Sequence, residues 1–120
     1  ITTINVVNGS MVIIGDVNTS TIDIGDIQAL GNGADLNQAS ALLHETVEQY
    51  EIQVKGKPII KAHLSASGAE RLVTGSYIDP INRPIGNGQM LVPVLDPTGK
   101  TIRTIIVSIN EKGNVTGIKR

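Results

Sequence analysis

The sequence contains no cysteine, phenylalanine or tryptophan, and each absence excludes a class of function. Without cysteine, the chain of 120 residues has no disulfide framework, no thiolate metal site and no cysteine nucleophile. Two tyrosines leave little support for base stacking, on which readers of single-stranded nucleic acid depend. The core must therefore be built from Ile, Val and Leu, residue types that favour strands.

An excess of one charge and long apolar runs are also missing. Ten Lys and Arg against eleven Asp and Glu give a formal net charge of −1, so we expect no nucleic-acid partner. No apolar run approaches the ~20 residues that span a bilayer, so we expect no membrane span. The length fits a single domain, residues 1–120. Because numbering begins at Ile1, we expect either a removed leader or a domain excised from a longer protein.

The first third of the chain predicts strands. β-Branched segments separated by turn residues cover residues 3–7, 11–14 and 21–24. The dipeptide Asn8-Gly9 is typical of a tight turn and predicts a hairpin between the first two. These segments together predict a β-meander, with residues 21–24 as an edge strand.

Two helices are expected in the middle of the chain. Asp35 or Asn37 can cap the first, which is expected to end near residues 54–56. Its apolar stripe at helical spacing consists of Leu36, Ala39, Leu43, Val47 and Tyr50. Pro58 suits the first turn of a second helix over about residues 57–72. The packing positions expected there are Ile59, Ile60, Ala62, Ala66 and Ala69.

The last third predicts a loop followed by two hairpins in series. Residues 74–89 are rich in Gly, Pro, Asn and Asp and suggest an irregular rim of a cleft. Strands are expected at 90–95, 101–109 and 115–118, with Pro93 at an edge or a bulge. The expected fold class is α+β, with antiparallel hairpins and a meander around two central helices.

The most informative motif is His44-Glu45-Thr46-Val47-Glu48 on the first helix. Residues i and i+4 share one helix face, so His44 and Glu48 can bind one metal ion. This is the layout of the zinc-hydrolase motif H-E-x-x-H with a carboxylate in place of the second imidazole, and zinc accepts both ligand types. His63, the second of two histidines, supplies a third ligand.

The neighbouring carboxylates have separate expected roles. Glu45 is rotated around the helix from His44 and is the expected catalytic base, taking a proton from a metal-bound water. Glu70, two turns beyond His63 on the same face, is an alternative metal ligand. The competing interpretation is a solvated His44/Glu48 pair, with His63 as a surface residue.

The run Leu43-His-Glu-Thr-Val-Glu48-Gln-Tyr50, followed by Ala62-His63 and Ala69-Glu70, resembles the His-Glu-x-x-Glu…Ala-His pattern of small zincin-like metallopeptidase domains. Such domains lie at the C-terminal ends of bacterial polymorphic toxins and Rhs-repeat proteins, and they also occur in related secreted proteins. The resemblance covers about residues 20–72. It implies a zincin-like minimal core, zinc at His44 and His63, Glu45 as base, and Glu48 as ligand or orienting group. It also implies secretion or delivery from a bacterium, and an inhibitory immunity protein as partner.

The leading hypothesis is therefore a zinc-dependent metallopeptidase that hydrolyses a protein or peptide substrate. The alternative is a non-catalytic β-rich binding or structural module of a secreted protein, whose helix carries an incidental H-E-x-x-E. A third hypothesis is a degenerate zincin that binds metal without hydrolysing substrate.

Overall fold

The computed structural model describes residues 1–78 and 83–120, which form two sheets and three helices, two of them long. The first sheet consists of β1 (Asn5–Val7), β2 (Gly15–Asp16) and β3 (Thr21–Asp23). The helices are α1 (Ile24–Ala29), α2 (Gln38–Gln53) and α3 (Ile59–Thr74). The second sheet consists of β4 (Tyr77–Ile78), β5 (Arg83–Gly86), β6 (Gln89–Leu95), β7 (Thr101–Ile109) and β8 (Val115–Lys119). The α+β fold class and the two central helices are confirmed.

The first sheet differs from the expected meander. Its order is β1-β3-β2, with β1 parallel to β3, so the hairpin between the first two predicted strands is wrong. Residues 11–14 form no strand, because side-chain carboxylates bind one N–H group within this segment and one directly before it. Asp23 accepts from Ser10 N at 2.8 Å, and Asp26 accepts from Ile14 N at 2.9 Å. The predicted edge strand at 21–24 is the central strand and ends at Asp23, which caps α1.

The two long helices begin close to the residues that the sequence predicts. Asn37 accepts from Ser40 N, and Ser40 Oγ accepts from Asn37 N, so this pair forms a capping box at the start of α2. Helix α3 begins directly after Pro58. The short helix α1 was not predicted, because its six residues are too few for a helical periodicity to be visible.

The buried face of α2 is polar, contrary to the expected apolar stripe. Ala39 and Tyr50 are exposed, whereas Glu45, Glu48 and Gln49 are buried. On α3, Ala62 and Ala66 are fully buried as predicted, but Ile59 and Ile60 are 49% and 75% exposed. The two helices pack closely against each other.

The two predicted hairpins of the second sheet are confirmed as β6-β7 and β7-β8. The loop predicted over 74–89 is wrong in part, because β4 and β5 lie within it and both pair with β6; residues 79–82 of that loop lie outside the described residues. Strand β6 is therefore not an edge. The alternative of a bulge fits better, since the register with β7 shifts between Val94 and Leu95, next to Pro93.

The main core lies where the second sheet meets α1 and the start of α2. Ile22, Ile27 and Leu30 from the first part of the chain pack in one cluster with β-strand residues such as Val94 and Val107. None of the helices in residues 1–78 and 83–120 combines the length and the apolar character needed to cross a membrane.

An ion pair between buried Asp35 and half-exposed Arg103 connects the segment before α2 to the second sheet. Asp35 is 6% exposed and accepts hydrogen bonds from Arg103 Nε at 2.7 Å and Nη2 at 2.6 Å, and from Ser76 Oγ. The bonds from Arg103 hold the pKa of Asp35 below its usual value. The ionised carboxylate therefore stabilises the fold above the unfolded pKa near ~3.9, and this stabilisation is lost as the pH falls through the lower folded pKa.

We expect Asp35→Asn to lower the free energy of unfolding at pH 7 by about 1 kcal/mol, at the low end for charged hydrogen bonds because Arg103 is half exposed and solvent screens the pair. The difference from the wild type should shrink in acid, where Asp35 is itself protonated. Urea unfolding at pH 7 and near pH 2–3 measures this. Glu111→Gln, at an exposed carboxyl, is the control. An equal loss at both pH values would contradict the role of the ionised pair.

Candidate metal centre

Antiparallel packing of α2 and α3 brings both histidines of the chain together. His44 and Glu48 lie one turn apart on α2, and His63 faces them from α3. Nε2 of His44 lies 3.1 Å from Nδ1 of His63, and Nδ1 of His63 lies 2.7 Å from Oε2 of Glu48. The third separation, from Nε2 of His44 to Oε2 of Glu48, is 3.6 Å. The alternative of a solvated His44/Glu48 pair does not hold, because both side chains are largely buried.

The three atoms fit a metal ion. All lie within 4.8 Å of one another. Zinc bonds to nitrogen and oxygen at about 2.0–2.1 Å, so two ligands of a tetrahedral site lie about 3.3 Å apart. The separations of 2.7, 3.1 and 3.6 Å lie on both sides of that distance. His44, Glu48 and His63, which we call the metal group, can therefore hold one metal ion.

Glu70 lies on the other side of His44. Its Oε2 is 3.1 Å from Nδ1 of His44, and its side chain is 5% exposed. A carboxylate that accepts from one ring nitrogen fixes the ring and leaves the other nitrogen free for a metal. Of the two carboxylates considered as third ligand, Glu48 belongs to the metal group, and Glu70 occupies the position of an orienting residue.

Without a metal ion, the side chains of this cluster form a network of charged hydrogen bonds. Burial lowers the pKa of His44, but its interactions with Glu48 and Glu70 outweigh this and raise the pKa to about 10. Burial raises the pKa of Glu48, but both histidines outweigh it and lower the pKa to about 2. A metal ion must therefore displace a proton from His44 to bind.

Glu45 is a buried carboxyl without a partner. It is 9% exposed, and its Oε2 has no hydrogen bond among the described residues. Burial is the largest cause of a pKa raised to about 7. A carboxyl with such a pKa can both accept and donate a proton near neutral pH. Glu45 lines the same cleft as the metal group, and its role as catalytic base stays a prediction.

A tight turn over Ile13–Gly15 confines Glu45. Gly15 N donates to the carbonyl of Ile13 at 2.7 Å, and Ile14 has a φ of 63°, which is rare for a β-branched residue. Asp26 holds Ile14 N, and Asp23 N donates to the carbonyl of Ile14 at 2.8 Å. A Cβ at residue 15 would overlap the Glu45 carboxylate. A side chain at residue 15 would therefore force the Glu45 carboxylate to move.

Sequence reasoning missed Gly15, Asp23 and Asp26 as part of the site. The available signal is the repeated Ile-Gly-Asp at residues 14–16 and 24–26. In the structure the first copy contacts Glu45, and the second contributes the Asp26 carboxylate that holds the first in place.

The metal group lines a cleft of about 420 Å³. Glu45, Glu70 and Ser67 line it as well, together with aliphatic residues of the second sheet and of the segment 13–17. This volume falls within the range of small-molecule and peptide sites.

Comparison with protein families, with curated proteins and with solved structures finds no match to this chain. The function is therefore inferred from the chemistry of the cleft.

We expect Gly15→Ala to lower the free energy of unfolding by about 1–3 kcal/mol, because the added methyl group overpacks the space beside Glu45. Gly68→Ala is the matched control, since a Cβ there meets nothing and alanine favours the helix by up to ~1 kcal/mol. In a Glu45→Ala background, Gly15→Ala should be less destabilising because the carboxylate is gone. Urea unfolding of the four-variant cycle measures the coupling, and simple additivity would rule out the contact.

Proposed function

We propose that this protein is a zinc-dependent metallopeptidase in which Glu45 activates water. The observation that carries the proposal is the buried carboxyl of Glu45, whose Oε2 has no hydrogen-bond partner among the described residues, beside a three-ligand metal group in one cleft. Catalytic zinc sites use about three protein ligands and keep one position open, whereas structural sites are closed by four. Among the described residues, no fourth ligand joins the metal group.

Each residue then has a defined task. Zinc held by His44, Glu48 and His63 would supply Lewis-acid chemistry, polarising a carbonyl and lowering the pKa of water. Glu45 would take the proton of the attacking water and deliver it to the leaving amine. Glu70 holds the ring of His44 so that Nε2 points into the metal group.

A peptide suits the cleft better than a phosphate ester does. Four carboxylates line it, those of Asp16, Glu45, Glu48 and Glu70. They oppose an anionic substrate, and one divalent cation does not balance them. A peptide bond carries no charge, and much of the remaining lining is aliphatic.

A non-catalytic module is the second candidate, and one observation favours it. The cluster is already internally paired, with His63 bonded to Glu48 at 2.7 Å and His44 to Glu70 at 3.1 Å. Such a network can join two helices without a metal. Membership of the zincin-like class, secretion or delivery from a bacterium as a toxin, and an immunity protein stay predictions of the sequence pattern.

Metal content separates these candidates. We expect near-stoichiometric zinc in wild-type protein prepared with excess zinc and then dialysed, measured by elemental analysis. His44→Ala should reduce it to less than about a tenth, because two ligands hold a metal far more weakly than three. Thr46→Ala, at an exposed position on the same helix, is the control. A wild type without zinc would contradict the proposal.

Removal of the catalytic base tests hydrolysis itself. Glu45→Gln should keep its zinc but cleave fluorescently labelled casein about 10²- to 10⁴-fold more slowly, the usual contribution of general-base catalysis. Glu111→Gln serves as the control for loss of a carboxylate elsewhere. Equal rates in Glu45→Gln and wild type would exclude Glu45 as the base. Zinc binding without any cleavage would favour the degenerate, non-hydrolytic form.

A further inference from the structure

We propose that the end of the cleft beyond Glu70 is an apolar subsite that selects substrates with an aliphatic or aromatic side chain next to the bond that is cleaved. This inference rests on the proposed function and names its substrate class. The pairing of the two long helices locates the subsite. Glu48 meets His63, and one turn earlier on α2 His44 meets Glu70. A further turn back, at Ala41, the cleft reaches the end of α3 and the start of the second sheet.

The floor of this subsite is rigid and apolar. Leu36, Ala41 and Val92 are 7%, 4% and 2% exposed and belong to the core cluster. Ile78 and Met90 pack against that cluster and line the same cleft. Because the core supports these side chains from behind, the floor is already formed before a ligand binds.

A second apolar surface comes from the segment 13–17. Ile13, Ile14 and Val17 line the cleft, and Ile13 is 41% exposed. The turn held by Asp26 fixes this segment beside Glu45, one turn along α2 from Ala41. A substrate side chain on the floor would cover this exposed surface, and the binding energy would come from the apolar area removed from water.

The charges of the cleft favour the same class of substrate. All the carboxylates that line it belong to Asp16 or to the site itself, so an acidic side chain would be repelled. A lysine or arginine side chain would be attracted by these carboxylates, but on the floor itself its charge would lie among aliphatic side chains, and the cost of desolvating the charge opposes that attraction. An uncharged apolar side chain meets neither penalty.

Binding of small hydroxamates to the zinc-loaded protein tests the subsite without relying on catalysis. Acetohydroxamate probes the metal alone, and the N-acetyl hydroxamates of leucine, phenylalanine, aspartate and lysine add one side chain each. We expect the leucine and phenylalanine compounds to bind about 10-fold or more tightly than acetohydroxamate in calorimetry. Their binding should also show a more negative heat-capacity change. The aspartate and lysine compounds should gain nothing.

A matched pair of variants locates the effect. Ile13→Asn should remove several-fold of the preference for leucine over acetohydroxamate, and it adds no charge near the metal. Ile102→Asn is the control, since Ile102 is similarly exposed at 52% but lies on β7 outside the cleft. Both positions are exposed, so both variants should fold.

The outcomes distinguish the two proposals. If acetohydroxamate binds but the leucine compound binds no tighter than the aspartate compound, the subsite is overturned and the metal site stands. Tightest binding of the lysine compound would also overturn it, because carboxylates would then control selection. If acetohydroxamate fails to bind, the metal-hydrolase proposal fails and the subsite falls with it.

Discussion

The hydrogen bond between His63 and Glu48 is the contact on which the rest of the site depends. It joins α2 to α3 at 2.7 Å, and together with the bond from His44 to Glu70 it fixes the antiparallel register of the two helices. Buried polar groups of this kind are favourable only when each finds a partner. Ala62 and Ala66 are fully buried on the same helix as His63 and Glu70.

Glu45 differs from its neighbours because the fold leaves it unsatisfied. Its carboxylate is buried against the backbone of Gly15, and its Oε2 finds no donor in the described part of the chain. The turn that encloses it places Ile14 in a backbone conformation that β-branched residues avoid. Asp23 and Asp26 stabilise that turn through hydrogen bonds to its backbone. Strain and an unpaired carboxyl thus coincide at one point, next to the metal group.

The sequence predicted the secondary structure best where local signals decide it. The Asn37 cap, Pro58 before α3 and the hairpins of the second sheet each depend on residues close in the chain, and all were recovered. It failed where distant side chains take over backbone groups. Residues 11–14 have the composition of a strand. However, the N–H groups of Ser10 and Ile14 donate to the carboxylates of Asp23 and Asp26 and not to a neighbouring strand.

The sequence by itself determined which side chains could bind a metal ion, and it determined one spacing, since His44 and Glu48 share a helix face wherever the helix packs. Only the tertiary structure brought His63 to them and placed Glu70 on the far nitrogen of His44, because those contacts depend on how α3 lies against α2. It also reversed the expected orientation of α2, whose buried face carries Glu45, Glu48 and Gln49. Helical periodicity ranks faces by hydrophobicity, and it cannot foresee a polar face whose partners come from elsewhere in the chain.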